Sequence, residues 1–288
     1  MPQPCEKLGL VLEGGAMRGL YTAGVLDVLM ENGLWADVVI GTSAGALHGA
    51  SYVSNQPGRT IRYYEKYRGD RHFMGLYSLL TTGDVVGRQF CYYDIPQKLD
   101  VFDEAAFEAS PIAFYATCTN VETGRAEYPR LTELATVRSM ELLRAGASMP
   151  LVSRIVEVDG KRYLDGGVAD SIPLQKAQAL GCTRSVVVLT QPAGYLKPPA
   201  RMAPFAAMYR RYPAFVQAMA RRHTMYNAQV CQAEQAAARG EVLLLRPSQP
   251  LQVSRMEKDA ARLRAAYQLG RADAAARLDA LRTFMAKP

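Results

Sequence analysis

The stretch GTSAG, Gly41 to Gly45, sets a serine between two glycines, behind the apolar run DVVI and ahead of ALHGAS. Two small residues bracketing a tight turn between a strand and a helix occur in any α/β protein, and G-x-S-x-G alone is a weak pattern. Its specific reading is a nucleophile elbow, a sharp strand-to-helix turn that lifts the Ser43 hydroxyl above a sheet and needs small flanking residues. The chemistry would be acyl transfer. That chemistry needs a nucleophile held in the open, a base beside it, and donors aimed at the developing oxyanion.

Donors are available in EGGAMRG, Glu13 to Gly19, which follows the first apolar run and opens the first helix. Backbone N–H groups of a glycine-rich turn at a helix N-terminus converge on negative charge. A phosphate-binding turn is the plainer reading, but GGAMRG is neither G-x-G-x-x-G nor a Walker sequence. Beside a serine elbow, an oxyanion hole is the better explanation of the loop.

The base is harder to place, because the chain has only three histidines, His48, His72 and His223. His48 lies five residues beyond Ser43 on the same expected helix, about 140° round the axis and pointing away. His72 sits in a charged, aromatic segment that reads as surface. His223 follows a candidate aspartate, as a Ser…Asp…His order requires, yet it stands on an expected helix rather than on a loop after a strand. Asp165 is the other candidate. It ends a strand in YLDGGVADSIP, where Gly166 and Gly167 let the chain turn back beside it. An aspartate near its ordinary pKa of ~3.9 is a weak base at neutral pH, so positioning and oxyanion donors would carry much of the acceleration.

The elements that must position these residues are legible as a β-α-β-α opening. It has a strand over 8–12, a helix from about Arg18 to Asn32 closed by Gly33, a strand over 37–40, and a small-residue helix after the elbow. A parallel sheet covered by helices follows from that order. TTGDVVG and CYYDIP read as turn-rich connections, PIAFYATCTN as a strand, and TVRSMELLRAGAS as a helix. RIVEVDGKRYLDGG reads as a hairpin around Asp159-Gly160, and RSVVVLT as a strand buried on both faces. The last third reads as mostly helical. No repeat or linker forces a second domain.

The chain has 288 residues, a net charge of +7 and five cysteines, Cys5, Cys91, Cys118, Cys182 and Cys231, with no C-x-x-C pair. The cysteines read as buried thiols in a reducing compartment. Neither a signal-peptide core nor an apolar run of ~18 residues is present, so a cytoplasmic location is expected. Neither metal nor cofactor is called for.

Taken together, GGAMRG at 14–19, GTSAG at 41–45 and DGG at 165–167, with ASMP at 147–150, resemble the patatin-like phospholipases, and more closely their bacterial members. The resemblance covers about residues 7–190. It implies a three-layer α/β/α fold with a mostly parallel sheet and lipid acyl hydrolysis by a Ser–Asp dyad. Ser43 would be the nucleophile and Asp165 its base. Gly14, Gly15 and Ala16 would line the oxyanion hole with Arg18 beside it, and Gly41, Gly45, Gly166 and Gly167 would make the turns. One departure is Ala16, where the family usually has a third glycine. Residues 191–288 would be a helical extension packed on the same domain. The substrate partner would be a phospholipid or another fatty-acyl ester.

Two rivals remain. An α/β-hydrolase would use a Ser–Asp–His triad through His223, but only two strands precede the elbow. A catalytically silent lipid- or protein-binding module would keep the elbow as scaffold. Nucleic-acid binding is not expected despite the pI of about 9.2, because the basic cluster matches no such module. That cluster, Lys197 to His223, holds six basic residues and no acidic one. On a helical wheel Phe205, Met208, Tyr209, Tyr212, Phe215, Val216 and Met219 fall on one side and Arg210, Arg211, Arg221 and Arg222 on the other. Pro213 would split the segment into two short helices. The plainer reading is an outer helix with solvated arginines. The functional reading is a cationic lid beside Ser43 that makes peripheral contact with the inner membrane surface through anionic lipids.

Overall fold

The structure, a computed structural model, describes residues 6–286. Strand β1 (Lys7–Leu12) leads through a 3-10 turn (Ala16–Arg18) into helix α1 (Gly19–Glu31), and β2 (Val38–Thr42) leads into α2 (Ala44–Val53). An irregular stretch follows, with α3 (Arg59–Tyr67), α4 (Leu76–Thr82), a π-helical segment (Phe90–Leu99) and α5 (Glu104–Ala109). Next come β3 (Ala113–Asn120), the two-residue strands β4 (Ala126–Glu127) and β5 (Arg130–Leu131), α6 (Val137–Gly146), and the hairpin β6 (Val156–Val158) and β7 (Lys161–Asp165). A 3-10 turn (Gly166–Val168) joins it to α7 (Leu174–Ala179) and β8 (Cys182–Val188). The rest is α8 (Ala203–Met208), α9 (Pro213–Ala238), β9 (Val242–Leu245), α10 (Ala260–Ala275) and α11 (Leu278–Met285).

The sheet runs β6-β7-β3-β2-β1-β8-β9, with β4 and β5 paired to β3. Its five neighbours from β3 to β9 are parallel, and the β6-β7 hairpin joins β3 antiparallel. Alternation along the strands sends side chains to two separate cores. Leu8, Leu10, Leu12, Val39, Val186 and Val188 face α1, α2, α6, α10 and α11, whereas Val11, Ile40, Val187 and Leu189 face α7 and α9. Strands buried on both faces read as continuous apolar runs. The result is a three-layer α/β/α architecture with a mostly parallel sheet.

Helix α10 lies directly on α1. Side chains at Gly24 and Gly270 would collide with the backbone carbonyls of Tyr267 and Tyr21, so the two glycines permit this approach. The Tyr267 hydroxyl donates to buried Asp27 at 2.6 Å and pins the contact.

One expectation is extended and three are corrected. The last third contributes β9, parallel to β8, because VLLL is an apolar run long enough for an inner strand and too short for a helix. CYYDIP is not a connection but lies in the π-helical segment, where Tyr92 and Ile95 are buried. Pro213 separates α8 from α9 as expected, but α9 is 26 residues long, with the proline at its first position, where its missing N–H costs nothing. Of the cysteines, Cys118 and Cys182 are buried, Cys91 is partly covered and Cys231 is exposed, against the expectation of buried thiols; Cys5 lies outside the described residues.

Candidate active site

Ser43 stands between β2 and α2 with φ 54° and ψ −127°, a conformation that non-glycine residues rarely adopt and that costs about 1–3 kcal/mol. The surrounding backbone fixes it there. A Cβ at Gly45 would sit 2.6 Å from the Leu12 carbonyl oxygen, and one at Gly14 would sit 2.7 Å from Ser43 Cβ. The exit of β1 therefore presses against the elbow, and both loops need glycine for close approach. Gly41 and Gly166 are hemmed in likewise, by the backbones of Ala46 and Thr117.

Ser43 Oγ donates to Asp165 Oδ2 at 2.6 Å, and the Gly167 amide donates to Asp165 Oδ1 at 2.8 Å. The strand carrying Asp165 pairs with β3, and β3 pairs with β2, so the sheet register sets the separation of the two side chains. Burial lifts the Asp165 carboxyl above the ordinary carboxylate range, while the Ser43 hydrogen bond, the Arg222 charge and the Gly167 amide pull it back. Its buried surroundings therefore favour the protonated carboxyl more than those of an ordinary exposed aspartate.

The loop from Gly14 to Ala16 runs beside Ser43. Among the described residues, the amides of Gly14 and Gly15 donate to no protein acceptor, and both residues border the cavity above the serine. Ala16 holds φ 49°, in the left-handed region, which explains why glycine is the usual residue there. Arg18, Ser43, Asp165 and Gly167 line the same cavity of about 310 Å³.

None of the histidines joins them. His48 is 1% exposed against Gly19 and Tyr64, with neither ring nitrogen bonded, and burial pushes it down to about 3. His72 is on the surface, bonded to Asp70 at 2.8 Å. His223 has its Nε2 beside Thr224 and is absent from the cavity wall.

The patatin-like phospholipase family model matches residues 10–177. The chain belongs to the patatin-like phospholipase family. A second model, described only as a domain of unknown function, matches residues 212–286. An uncharacterized protein of Escherichia coli K12, YjjU, is 29% identical over 65% of this chain and 53% of its own length. A patatin-like phospholipase domain-containing protein of Caenorhabditis elegans is 30% identical over 60% of this chain and 13% of its own. A protein of Aspergillus terreus named lysophospholipase nte1 is 28% identical over 61% of this chain and 11% of its own. The chain thus matches about half of the bacterial relative and about a tenth of the two eukaryotic ones. The crystal structure of VipD from Legionella pneumophila aligns over 96% of this chain and 67% of its own, with 11% identity and a TM-score of 0.47.

Four charged residues of this patatin-like site were not among the expected site residues. Glu13 is 2% exposed and accepts the Thr190 amide at 2.6 Å; burial raises its carboxyl, which the Thr190 amide, Arg18 and Lys197 pull back. Arg222, expected on the solvent side, instead lines the cavity and donates its Nε hydrogen to the Gly167 carbonyl at 2.6 Å. The correction has a helical reason: Arg222 lies three residues after buried Met219 and four before buried Tyr226, inside the apolar stripe of α9. Gln229 interrupts the same stripe and clamps Asp170, Ser171 and Ile172 through its amide. A polar residue inside an apolar helical stripe was the available signal. Lys197, which opens the basic cluster singled out in the sequence, and Arg255, which carried no signal there, complete the wall.

A second cavity, of about 110 Å³, also borders Ser43. Apolar residues dominate it, and its aromatic members are Tyr63, Tyr64, Phe73, Tyr92 and Phe102. Ala16, Ser43 and Met149 border both cavities.

Proposed function

We propose that the chain is a serine lipid acyl hydrolase of phospholipase or lysophospholipase type, with Ser43 as nucleophile and Asp165 as base. The observation that carries this reading is the 2.6 Å Ser43–Asp165 hydrogen bond at a strained elbow beside two unengaged loop amides. The name of the Aspergillus relative supports the lysophospholipase alternative. Residues 7–190 would form the catalytic unit. Residues 191–288 would complete it by adding β9 to the sheet, α10 to α1 and Arg222 to the site.

In the mechanism, Asp165 Oδ2 takes the Ser43 proton as Oγ attacks the ester carbonyl. The amides of Gly14, Gly15 and Ala16, with Arg18 beside them, hold the oxyanion. Collapse of the tetrahedral intermediate breaks the ester C–O bond, and the departing alcohol takes the proton from Asp165. Water, giving its proton to Asp165, attacks the acyl-enzyme, and collapse returns that proton to Ser43 and releases the fatty acid. The aromatic cavity would take the acyl chain.

Labelling with a fluorophosphonate and ester turnover test the reading. Both should be lost in Ser43→Ala, turnover in Asp165→Asn, and neither in His223→Ala. A folded but inactive His223→Ala protein would restore the triad instead, and a labelled protein that turns over no lipid or soluble ester would favour the silent binding module.

Peripheral membrane contact through residues 197–223 is part of the proposal, now carried by the exposed Arg210, Arg211 and Arg221, at the cytoplasmic face. No helix among the described residues is long and apolar enough to cross a membrane.

A further inference from the structure

The cavity over Ser43 carries four cationic side chains, Arg18, Lys197, Arg222 and Arg255, against two carboxylates, Glu13 and Asp165. Both carboxylates are already engaged, Glu13 by the Thr190 amide and Asp165 by Ser43 and Gly167. Elsewhere in the protein, two covered arginines have acidic partners, while buried Arg68 bonds only to the backbone carbonyls of Met74 and Met256. Arg59 lies 3.4 Å from Asp100, and Arg144 lies 2.6 Å from Glu141. The four cations of the cavity make no ion pair among the described residues. Arg18 Nε is buried without any hydrogen-bond partner, and Arg222 has a single bond, to the Gly167 carbonyl.

Arg18, Lys197 and Arg222 are partly covered, whereas Arg255 reaches the cavity from an exposed position, and covered charge is costly unless it is paired. Lys197 is held only by the Tyr226 ring, 4.1 Å below its ammonium, and by two backbone bonds to Asn227. Burial and then the neighbouring Arg222 push that ammonium down to about 8, against the pull of Glu13. Three of the four come from beyond residue 177, outside the patatin-like match.

The two cavities meeting at Ser43 divide an ester into its halves. Asp165 borders the cationic cavity and not the aromatic one, so the alcohol half, which must receive a proton from Asp165, belongs on the cationic side. We propose that Lys197, Arg222 and Arg255, with Arg18, form an anion subsite that holds the phosphate of a net-negative phospholipid or lysophospholipid head group while the acyl chain occupies the aromatic cavity. This deepens the hydrolase reading and rests on it for the substrate, but the binding of phosphate does not depend on turnover.

The test has two arms. In the first, acyl-matched lysophosphatidate, lysophosphatidylcholine and monoacylglycerol are compared. The anionic lipid should exceed the neutral one at least tenfold in kcat/KM, and that ratio should fall at least tenfold in Lys197→Met and Arg255→Gln. Lys197→Arg should keep it. A ratio near one in the parent, or one unmoved in both variants, overturns the subsite. In the second arm, thermal stabilisation by glycerol 3-phosphate and by inorganic phosphate is measured. Stabilisation by glycerol 3-phosphate in the parent that is lost in Lys197→Met and Arg255→Gln supports the subsite even if no ester turns over, an outcome that would sink the hydrolase reading alone. Stabilisation by inorganic phosphate equal to that by glycerol 3-phosphate, with a lipid ratio near one, would assign the site to free phosphate and overturn the head-group proposal. No stabilisation by either overturns the subsite whatever the enzyme does.

Discussion

Arg222 Nε donates to the carbonyl oxygen of Gly167 at 2.6 Å, and the Gly167 amide donates to Asp165 at 2.8 Å. A single peptide turn thus links a helix of the C-terminal region to the carboxylate that bonds Ser43. Arg222 acts through that turn in two ways: it fixes the 3-10 turn Gly166–Val168 in place, and its charge offsets part of the burial that raises Asp165. It is a positioning residue for the proposed base.

Replacing Arg222 by Met should therefore move the acid limb of the kcat/KM profile upward. Asp165 works as a base only when deprotonated, and its carboxyl already lies above the ordinary carboxylate range. Without the nearby cation the carboxyl rises further, so the active form disappears at a higher pH. Arg222→Lys should restore the limb in part. A soluble short-chain ester assayed across pH 4 to 9 measures this, and a lowered plateau with an unmoved limb would make Arg222 purely structural.

Asp165→Asn separates catalysis from stability. Turnover should fall by at least about 10³-fold, the scale seen when one member of a catalytic unit is removed. Stability should move the other way. A carboxyl raised in the folded state favours folding below its unfolded pKa, and that contribution is lost as pH rises through the folded value. Near neutral pH the parent therefore bears the cost of a buried charge that asparagine does not carry. Denaturant unfolding at pH 7 should show the variant at least as stable as the parent, with a weaker pH dependence between pH 4 and 7. A clear loss of stability at pH 7 would mean that the carboxylate holds the turn together.

The opening β-α-β-α unit was legible because inner parallel strands are continuous apolar runs and because GG and GTSAG mark where backbones meet. Asp159-Gly160 was legible as a turn for the same local reason, both residues having positive φ. Arg222 was not, because over 197–223 it reads as one of a pair with the exposed Arg221. Only the full stripe Phe215, Met219, Arg222, Tyr226, Ala233 and Ala236 turns it inward. Strand β9 was hidden by its length, four residues between two helices. Lys197 and Arg255 approach Ser43 through tertiary packing alone, and no local pattern encodes that.

The outward side of the cationic segment makes its own prediction. Arg210, Arg211 and Arg221 are exposed, whereas Arg222 is not available to a membrane. Each basic residue near an anionic surface adds about 1 kcal/mol of attraction at most. Changing the three to Gln should weaken binding to phosphatidylglycerol vesicles by about tenfold or more at low salt, and slow hydrolysis there while sparing a short soluble ester. Vesicle sedimentation that gives equal binding for parent and variant would leave α8 and the start of α9 as cover for the core cluster around Phe215 and Met219.

Ala16 carries the last prediction. Its φ of 49° lies where a Cβ is disfavoured by about 1–2 kcal/mol, and its methyl stands where the two cavities meet beside Ser43. Glycine there removes the strain but adds freedom to the unfolded chain, worth about 0.4–1 kcal/mol in the opposite direction. Ala16→Gly should therefore leave stability within about 1 kcal/mol of the parent and should not lower kcat, because the amide donor is unchanged. Ala16→Val should be far worse: a branched side chain is poorly tolerated at positive φ, and displacing the loop amides should cost about 10²-fold in kcat, the scale of one lost oxyanion donor. Steady-state kinetics on one ester, with thermal melts of all three proteins, decide it. If folded Ala16→Gly lost tenfold or more in kcat, the methyl itself would have to be packing against the reacting acyl group, and the loop would act by shape rather than through its amides.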